Sequence, residues 1–297
     1  NNWQEEETKL IGSPELFDQE YGLNFTSGNK ILFGKEIIDE LKSQQMPFDY
    51  MELPGFGKLP FPYDSMKWIK DINIFNPLKV KDYYILISLD LAEGLAKDYS
   101  VINIFRLMLR DKDEIEKYKY DNLYDLFKLE QIGLYRSNVY SIREIAHILY
   151  CICFEIFDPE KVKVNLEYNM FGGELLTQLP HVFNDENQYS NHIFLRYKHN
   201  REDTGARIGL KLNKDKHLII DKEFQQAIKQ RKMILHNEIN IKEITTFVKH
   251  ETAAGNITYK AESGNDDVVM TTVTLSCCFD NVGYKNLIDL YVNCNLQ

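Results

Sequence analysis

Short apolar runs that end in an acidic residue dominate the hydrophobic pattern of this chain. Residues 83–89 are aromatic or aliphatic apart from Ser88 and lead directly to Asp90. A second apolar run begins at Val101, after a turn that contains Gly94. Apolar runs of this length, bounded by turn signals, are typical of buried strands. The pattern therefore predicts a hairpin of two strands, with Asp90 at the end of the first strand.

The pattern continues downstream as alternating helices and strands. Ser141 and Glu144 form a capping box that opens an apolar helix over 145–157. Residues 106–119 are charged and irregular, and the span before residue 127 is expected to be an inserted hairpin or a short helix. We further expect strands at 127–136, 162–167, 193–197 and 257–259, and helices within 211–231, at 239–248 and, as the last one, at 268–279. This order indicates an α/β fold with a mixed sheet flanked by helices.

Composition limits the classes of protein that the chain can represent. Its 297 residues, 44% of them hydrophobic, suffice for one large domain or two smaller ones. No run of about 18 apolar residues is present, so no membrane span is expected. The five cysteines include no Cys-x-x-Cys pair, which favours buried thiols in a reducing compartment. The net charge of −10 argues against nucleic acid as a partner unless basic residues are concentrated on one face.

Residues 46–64 combine four prolines and two glycines with several aromatic residues, and this density of helix and strand breakers predicts a linker. Gly55 to Lys58 within it superficially resembles a phosphate-binding loop. The segment lacks the spacing of that motif and follows no predicted strand. We therefore do not expect a nucleotide site there.

Three predicted elements each present a carboxylate at an apolar edge. Asp90 and Glu167 end two strands, and the pair Asp266 and Asp267 starts the last predicted helix. Each taken alone could simply cap a turn or a helix. Carboxylates that lie close together raise one another's pKa, so a fully ionised cluster is favoured only with a cation between its members. Oxygen ligands of this kind suit Mg²⁺, and a pair of such ions can hydrolyse a phosphodiester.

The residues around these carboxylates resemble the nuclease domain of the large terminase subunit of tailed bacteriophages, which packages DNA into a prohead. The matching motifs are Leu89-Asp90-Leu91-Ala92-Glu93-Gly94 with Lys97-Asp98-Tyr99-Ser100, then Asn165-Leu166-Glu167-Tyr168-Asn169, then Gly264-Asn265-Asp266-Asp267-Val268-Val269-Met270. The resemblance covers roughly residues 80–285. It implies a ribonuclease H-like fold and an endonuclease that uses divalent metal, Mg²⁺ or Mn²⁺, with two ions expected.

The resemblance also implies individual roles. Asp90, Glu167 and Asp267 would be the catalytic metal ligands, with Asp266 and Asp98 as supplementary or outer ligands. Asp90 would contact both ions while a metal-activated water attacks a phosphodiester in line. The family often has His before the acidic doublet, whereas this chain has Asn265. That difference questions a role for an imidazole but leaves the metal ligands unaffected.

The same resemblance suggests how the chain is divided. Residues 1–45 would be the tail of a preceding ATPase region, 46–80 a linker and 81–297 the nuclease domain. The chain starts without Met and holds no ATPase motif, so we expect the nuclease part of a longer chain. Implied partners are double-stranded DNA, the ATPase domain of the same full-length chain, the portal and the small terminase subunit, in the cytoplasm of the infected bacterium and without a membrane.

Two alternatives to this function follow from the same residues. The chain could be a non-catalytic docking module for a portal or an ATPase, with a vestigial acidic rim. It could also be another ribonuclease H-like enzyme, such as a junction resolvase or a transposase. The retention of all three carboxylates favours a nuclease over the docking module. The upstream segment and the proline-rich linker favour a terminase over the other enzymes.

One stretch of the acidic chain is clearly basic. It runs from residue 196 to residue 217 and includes Arg196, Arg201, Arg207 and Lys211. Such a stretch can follow a DNA backbone, and it can equally be a solvated face, because runs of charge often face water. We expect DNA binding by this chain to depend on these four residues.

Overall fold

The computed structural model describes residues 30–49, 66–69, 80–92, 98–118, 120, 122–182, 192–199, 204–212, 216–251, 257–262 and 264–295. Its strands are β1 (Lys30–Ile31), β2 (Phe48–Asp49), β3 (Met66–Ile69), β4 (Ile85–Asp90), β5 (Ser100–Leu109), β6 (Phe127–Ser137), β7 (Val162–Leu166), β8 (Arg196–Tyr197), β9 (Arg207–Ile208), β10 (Met233–Ile234), β11 (Phe247–Glu251) and β12 (Ile257–Ala261). Its α-helices are α1 (Lys35–Ser43), α2 (Lys112–Tyr118), α3 (Ile142–Tyr150), α4 (Met170–Val182), α5 (Lys216–Leu218), α6 (Gln225–Lys229), α7 (Glu238–Thr246), α8 (Asp267–Ser276) and α9 (Val282–Asn295). Two π-helical segments, Cys151–Ile156 and Ile219–Phe224, continue α3 and join α5 to α6.

A mixed sheet forms the centre of the fold, with strand order β2-β3-β6-β5-β4-β7 and β10 paired to β6. Strands β4, β5 and β6 form an antiparallel meander, and β7 then pairs parallel to β4. The chain between β6 and β7 is helical, as a parallel connection requires. The predicted α/β fold with a mixed sheet flanked by helices is confirmed.

The two faces of the sheet are covered by different helices. Helices α3 and α4 pack with Ile87, Leu89 and Val164 on one face. Helices α8 and α9 pack with Leu86 and Phe105 on the other. Adjacent residues Leu86 and Ile87 therefore enter different cores, as the alternation of side chains along a strand requires. The apolar run that predicted β4 is a strand buried on both faces.

Several boundaries differ from those that the pattern predicted. Residues 106–109, which we expected to be irregular, extend strand β5. Of the two structures expected before residue 127, a hairpin or a short helix, the short helix is present as α2. The last helix is α9 rather than α8. The predicted helix at 239–248 ends at Thr246, because the chain from Phe247 pairs with β12 instead.

Parts of the predicted tail and linker belong to the sheets. Strand β3 pairs antiparallel with β6, and the side chains of Trp68 and Ile69 are buried in the core. Strand β1, from the predicted tail, pairs with β11. Residues 66–69, which fall within the predicted linker, thus form a strand, and Trp68 packs edge-on against Phe157. Gly55 to Lys58 lie outside the described residues, and the division at 45 and 80 stays a prediction.

Two composition-based expectations concern the cysteines and the membrane. Cys151, Cys153 and Cys278 are buried free thiols, whereas Cys277 is partly buried and Cys294 is exposed. In the part of the chain that the structure describes, no helix is both long and apolar enough to span a bilayer.

Candidate metal centre

Asp90 and Glu167 lie side by side because they end two neighbouring parallel strands. Strand β4 pairs with β7 in a register that places Leu89 opposite Leu166. Asp90 directly follows Leu89, and Glu167 directly follows Leu166. Neighbouring strands lie about 4.8 Å apart. The parallel pairing, which sequence alone did not establish, therefore places both carboxylates at one rim of the sheet.

Both carboxylates also belong to the same face of the sheet. Two residues earlier on each strand stand Ser88 and Asn165, and the side-chain amide of Asn165 donates to Ser88 Oγ at 3.4 Å. Ser88 Oγ in turn donates to the carbonyl of Thr271 on α8, at 2.8 Å. Since side chains two positions apart share a face, Asp90 and Glu167 lie on the side that α8 covers.

Helix α8 brings the third carboxylate to this rim. Asp267 is its first residue, and Asp266 occupies the position before it. The side chain of Asp266 makes no capping hydrogen bond to the helix, although its position is the usual one for a cap. The alternative explanation of Asp266 as a helix cap is therefore wrong.

The electrostatics of Asp90 show that the carboxylates act on one another. Burial raises the pKa of Asp90 well above its usual range, and the nearby charges of Glu167, Asp267 and Asp266 raise it further. Burial also raises the pKa of Glu167. Lys216, at the start of α5, opposes both shifts and lowers the pKa of each group. Four acidic residues and one lysine thus share a single electrostatic environment.

Asp267 has partners of its own. Burial raises its pKa, whereas the Arg136 guanidinium and the backbone N–H of Tyr99 lower it. Arg136 Nη2 lies 3.9 Å from Asp267 Oδ2. That oxygen is buried and accepts no hydrogen bond from the described residues. Asp98 is exposed, and its charge also raises the pKa of Asp267, so Asp98 lies within reach of the same centre.

The donor set fits a hard divalent cation in its chemistry. All the acidic groups offer oxygen ligands, which Mg²⁺ and Mn²⁺ prefer. The buried Asp267 Oδ2 has an unused lone pair, and an added positive charge would offset the repulsion that raises the pKa of Asp90. As oriented here, no three His, Cys, Asp or Glu side chains of the described residues are grouped closely enough to hold one ion. The ligand set of Asp90, Glu167, Asp267, Asp266 and Asp98 therefore stays a prediction.

The basic stretch lies next to this rim. Strands β8 and β9 form a two-stranded antiparallel ribbon, and Glu167 is bridged to Leu210 just beyond it. The backbone N–H of Leu210 donates to the carbonyl of Leu166 at 2.7 Å, and that of Tyr168 donates to the carbonyl of Leu210 at 2.8 Å. The ribbon is therefore attached directly to the end of β7.

The predicted DNA-contacting cations are only partly brought together by the ribbon. Arg196 and Arg207 are exposed. Arg196 pairs with Ile208, and Arg207 pairs with Tyr197. Residues directly opposite share a face of the ribbon, so Arg196 and Arg207 point to opposite faces. Lys211 is exposed just beyond β9, and Arg201 lies outside the described residues.

Two cations near the carboxylates were not identified as site residues from the sequence. Lys216 was included only as part of the basic stretch, and Arg136 ends a predicted strand without any motif around it. The strand position of Arg136, one residue before the end of β6, was the only available signal. It places the side chain at the same rim as Asp90, since Val101 on β5 pairs with both residues.

Comparison with known proteins adds the following. No protein-family model and no curated protein matches this sequence. The chain is similar to the solved large terminase nuclease from thermophilic phage G20c with bound magnesium, at 16% identity over 81% of this chain and 96% of that one, with a TM-score of 0.48. It is also similar to the large terminase nuclease domain of Thermus phage P74-26, at 17% identity over 80% and 92%, with a TM-score of 0.44. It is also similar to the large terminase from the thermophilic bacteriophage D6E, at 12% identity over 65% of this chain and 39% of that one, with a TM-score of 0.40.

Proposed function

We propose that this chain is the metal-dependent nuclease domain of a phage DNA-packaging terminase. The observation that carries the proposal is the convergence of Asp90, Glu167 and Asp267 on one face and one rim of the sheet, where their charges raise the pKa of Asp90. A structural role does not require such a cluster, because each member destabilises the ionised form of its neighbours. The motifs around the same three residues are those that resemble the terminase family.

Within this proposal each acidic residue has a stated task. Asp90, Glu167 and Asp267 would hold Mg²⁺ or Mn²⁺, with two ions expected, and Asp266 and Asp98 would complete or surround the ligand set. Ions held there would supply an activated water and stabilise the leaving oxygen of a phosphodiester. The chain's own contribution is to mount the carboxylates on the rigid ends of β4, β7 and α8.

The proposed substrate is concatemeric double-stranded DNA, cut during genome packaging in the cytoplasm of the infected bacterium. Arg207 and Lys211, with Arg196 and Arg201, would pair with backbone phosphates beside the acidic rim. Phosphate contacts carry no sequence information, so cutting is nearly independent of sequence. The ATPase domain of the same full-length chain, the portal and the small terminase subunit are the proposed protein partners.

The proposal is tested by plasmid cleavage with Asp90→Asn. The variant keeps the size of the side chain and removes the charge, so it should lose all cutting in Mg²⁺ or Mn²⁺. Its melting temperature should stay the same or rise, because an ionised Asp90 destabilises the folded chain.

Asp280→Asn is the matched control for this experiment. Asp280 is 92% exposed and follows the C-terminal end of α8, about 15 Å along that helix from Asp267. It should cut like the unaltered chain. Full activity of Asp90→Asn would contradict the proposal, and loss of activity in both variants would show that the assay reports something other than this site.

A further inference from the structure

The first turn of helix α8 is capped by a side chain from another helix. The backbone N–H groups of Val268 and Val269 donate to Glu243 Oε2 at 2.8 and 2.9 Å. Glu243 belongs to α7 and is 6% exposed. These two N–H groups are the ones that the residue at the N-cap position ordinarily satisfies with its own side chain. That residue is Asp266, and its carboxylate is left free of the helix.

Arg136 connects this cap to the candidate metal centre. Its Nη2 lies 3.9 Å from Glu243 Oε1 and 3.9 Å from Asp267 Oδ2. The guanidinium carbon stands 3.6 Å from the centroid of the Tyr99 ring, and stacking of this kind fixes the plane of an arginine head. One cation therefore sits between the capping carboxylate and the carboxylate that starts α8.

We infer that Glu243 is a positioning residue for the divalent cation of this site. It occupies the amides of Val268 and Val269, and this keeps Asp266 and Asp267 from turning back onto their own helix. Both acidic side chains are then available on the rim that holds Asp90 and Glu167. The inference rests on the proposed function, since it assumes that these carboxylates bind metal.

Two features of the site support this assignment over a purely structural cap. Asp267 lies 3.9 Å from Arg136, and Arg136 and Asp90 both pair with Val101, so Asp267 is at the rim that holds Asp90. An aspartate at the N-cap position could satisfy the helix without help, so a buried glutamate is not needed for capping alone. Burying Glu243 beside Arg136 is unfavourable because both groups lose water. This arrangement leaves Asp266 and Asp267 available to bind a cation.

The test compares variants of Glu243 by Mn²⁺ binding, measured from the free Mn²⁺ signal in electron paramagnetic resonance. Glu243→Ala removes the cap, so the Asp266 side chain should accept hydrogen bonds from the two amides instead. Mn²⁺ affinity should then fall about tenfold or more, which is the usual loss when a residue that orients a metal ligand is removed. Glu243→Gln keeps a carbonyl oxygen of the same reach, so its affinity should stay within about threefold of the unaltered chain.

A third variant keeps the test decisive if Glu243→Ala does not fold. Glu243→Asp retains the charge but is one methylene too short to reach both amides, so it should bind Mn²⁺ more weakly than Glu243→Gln. If affinity follows the charge instead, with Glu243→Asp the tighter of the two, the positioning role is wrong. Circular dichroism checks that each variant is folded.

Glu144→Ala is the matched control. Glu144 completes the capping box of α3, which contributes to the opposite face of the sheet, so this variant also loses a helix-cap contact. Its Mn²⁺ affinity should be unchanged. If the unaltered chain binds no Mn²⁺, or if Asp90→Asn binds it equally well, the proposed function fails. If binding depends on Asp90 but Glu243→Ala binds as tightly as the unaltered chain, only the positioning inference is overturned.

Discussion

The acidic side chains around the rim differ in how their charge is balanced. Asp90 and Glu167 share the influence of one lysine, Lys216. Asp267 instead has Arg136 and a backbone N–H. Burial is the largest cause of the raised pKa in all three residues. The balance is therefore incomplete, and the metal-free folded chain is destabilised wherever these groups are ionised.

The stability of the metal-free chain should therefore depend on pH. Burial raises the pKa of Glu243 from 4.5 to about 7, and the pKa values of Asp90, Glu167 and Asp267 are raised as well. A carboxyl group whose pKa is higher in the folded than in the unfolded state contributes stability that is fully present below the unfolded value. That stability is lost as the pH rises through the folded value. We expect the melting temperature in a metal chelator to fall between pH 5 and pH 8.

The pKa of Glu130 is shifted in the opposite direction, and its titration lies outside this pH window. Burial acts to raise its pKa, but the hydrogen bond with His236 and the charge of Arg106 outweigh burial and lower the pKa from 4.5, so its stabilisation is lost only at a lower pH than this window. The measurement is a series of thermal melts at pH 5, 6, 7 and 8. Glu243→Gln should flatten part of the fall. A melting temperature that rises steadily across the window would contradict the prediction.

At the scale of elements, a buried polar layer fixes helix α8 on the sheet. Asn103 on β5 donates to Thr271 Oγ1 at 3.0 Å, and Ser88 on β4 donates to the carbonyl of the same residue. Asn240 on α7 donates to Thr272 Oγ1 at 3.0 Å. Hydrogen bonds in a buried layer have a required geometry, unlike apolar contacts. They set the rotation of α8, and with it the direction of Asp267.

Helix α4 constrains the position of Glu167 through one glycine. A Cβ atom added at Gly172 would stand 2.2 Å from the backbone carbonyl oxygen of Glu167, whereas one added at Gly173 would meet nothing within 4 Å. Gly172→Ala should therefore push α4 away from the end of β7. We expect a loss of about 1–3 kcal/mol in the free energy of unfolding, together with weaker Mn²⁺ binding.

Gly173→Ala is the control, because it adds the same methyl group on the same helix. It should be neutral or stabilise the chain by up to about 1 kcal/mol, since alanine favours a helix over glycine. Urea denaturation of both variants in a chelator makes the comparison. Equal stability of the two variants would show that α4 can shift freely, and the close contact would then not constrain Glu167.

At the scale of the whole molecule, the proposed function requires the chain to bind a polyanion although its net charge is −10. Attraction to DNA then has to be local, because charges in water are screened beyond about 10 Å at 0.1 M salt. The ribbon of β8 and β9 carries the exposed Arg196 and Arg207, and the bridge from Leu210 to Glu167 attaches it to the rim. The acidic rim and the ribbon together would orient a phosphate backbone at the site.

The combined variant Arg201→Ala, Arg207→Ala, Lys211→Ala tests this arrangement. Each lost phosphate contact should reduce the slope of log K against log salt by about one unit. We therefore expect weaker DNA binding at low salt and a shallower salt dependence, measured by fluorescence anisotropy. Binding of Mn²⁺ should be normal, since none of the three residues is a proposed ligand.

Helix α2 provides the control for the basic stretch. It follows the end of β5 that lies about 30 Å from the rim, since β5 has ten residues. The variant Lys112→Ala, Lys117→Ala should leave the salt slope unchanged. If the ribbon variant also shows an unchanged affinity and slope, the basic stretch is a solvated face and DNA follows another path.

The sequence by itself determined the elements whose signals are local. Strands β4 to β7 and helix α3 were predicted because apolar runs, a capping box and breaker residues are written within each segment. It also identified Asp90, Glu167 and the acidic pair at the start of α8 as carboxylates that each stand at the edge of an apolar run. These predictions needed no knowledge of which elements pack together.

Only the tertiary structure decided what surrounds those carboxylates. Glu243, Arg136 and Lys216 approach the rim from elements far away in sequence, and nothing in their neighbouring residues indicates a shared site. Helix α9 was not predicted from the sequence, because Gly283 near its start is unfavourable for a helix. A Cβ there would stand 2.7 Å from Leu195 Cδ2, so the buried Leu195 side chain would have to shift to admit a larger residue. Local patterns specify elements, whereas capping across helices and close packing exist only once those elements meet.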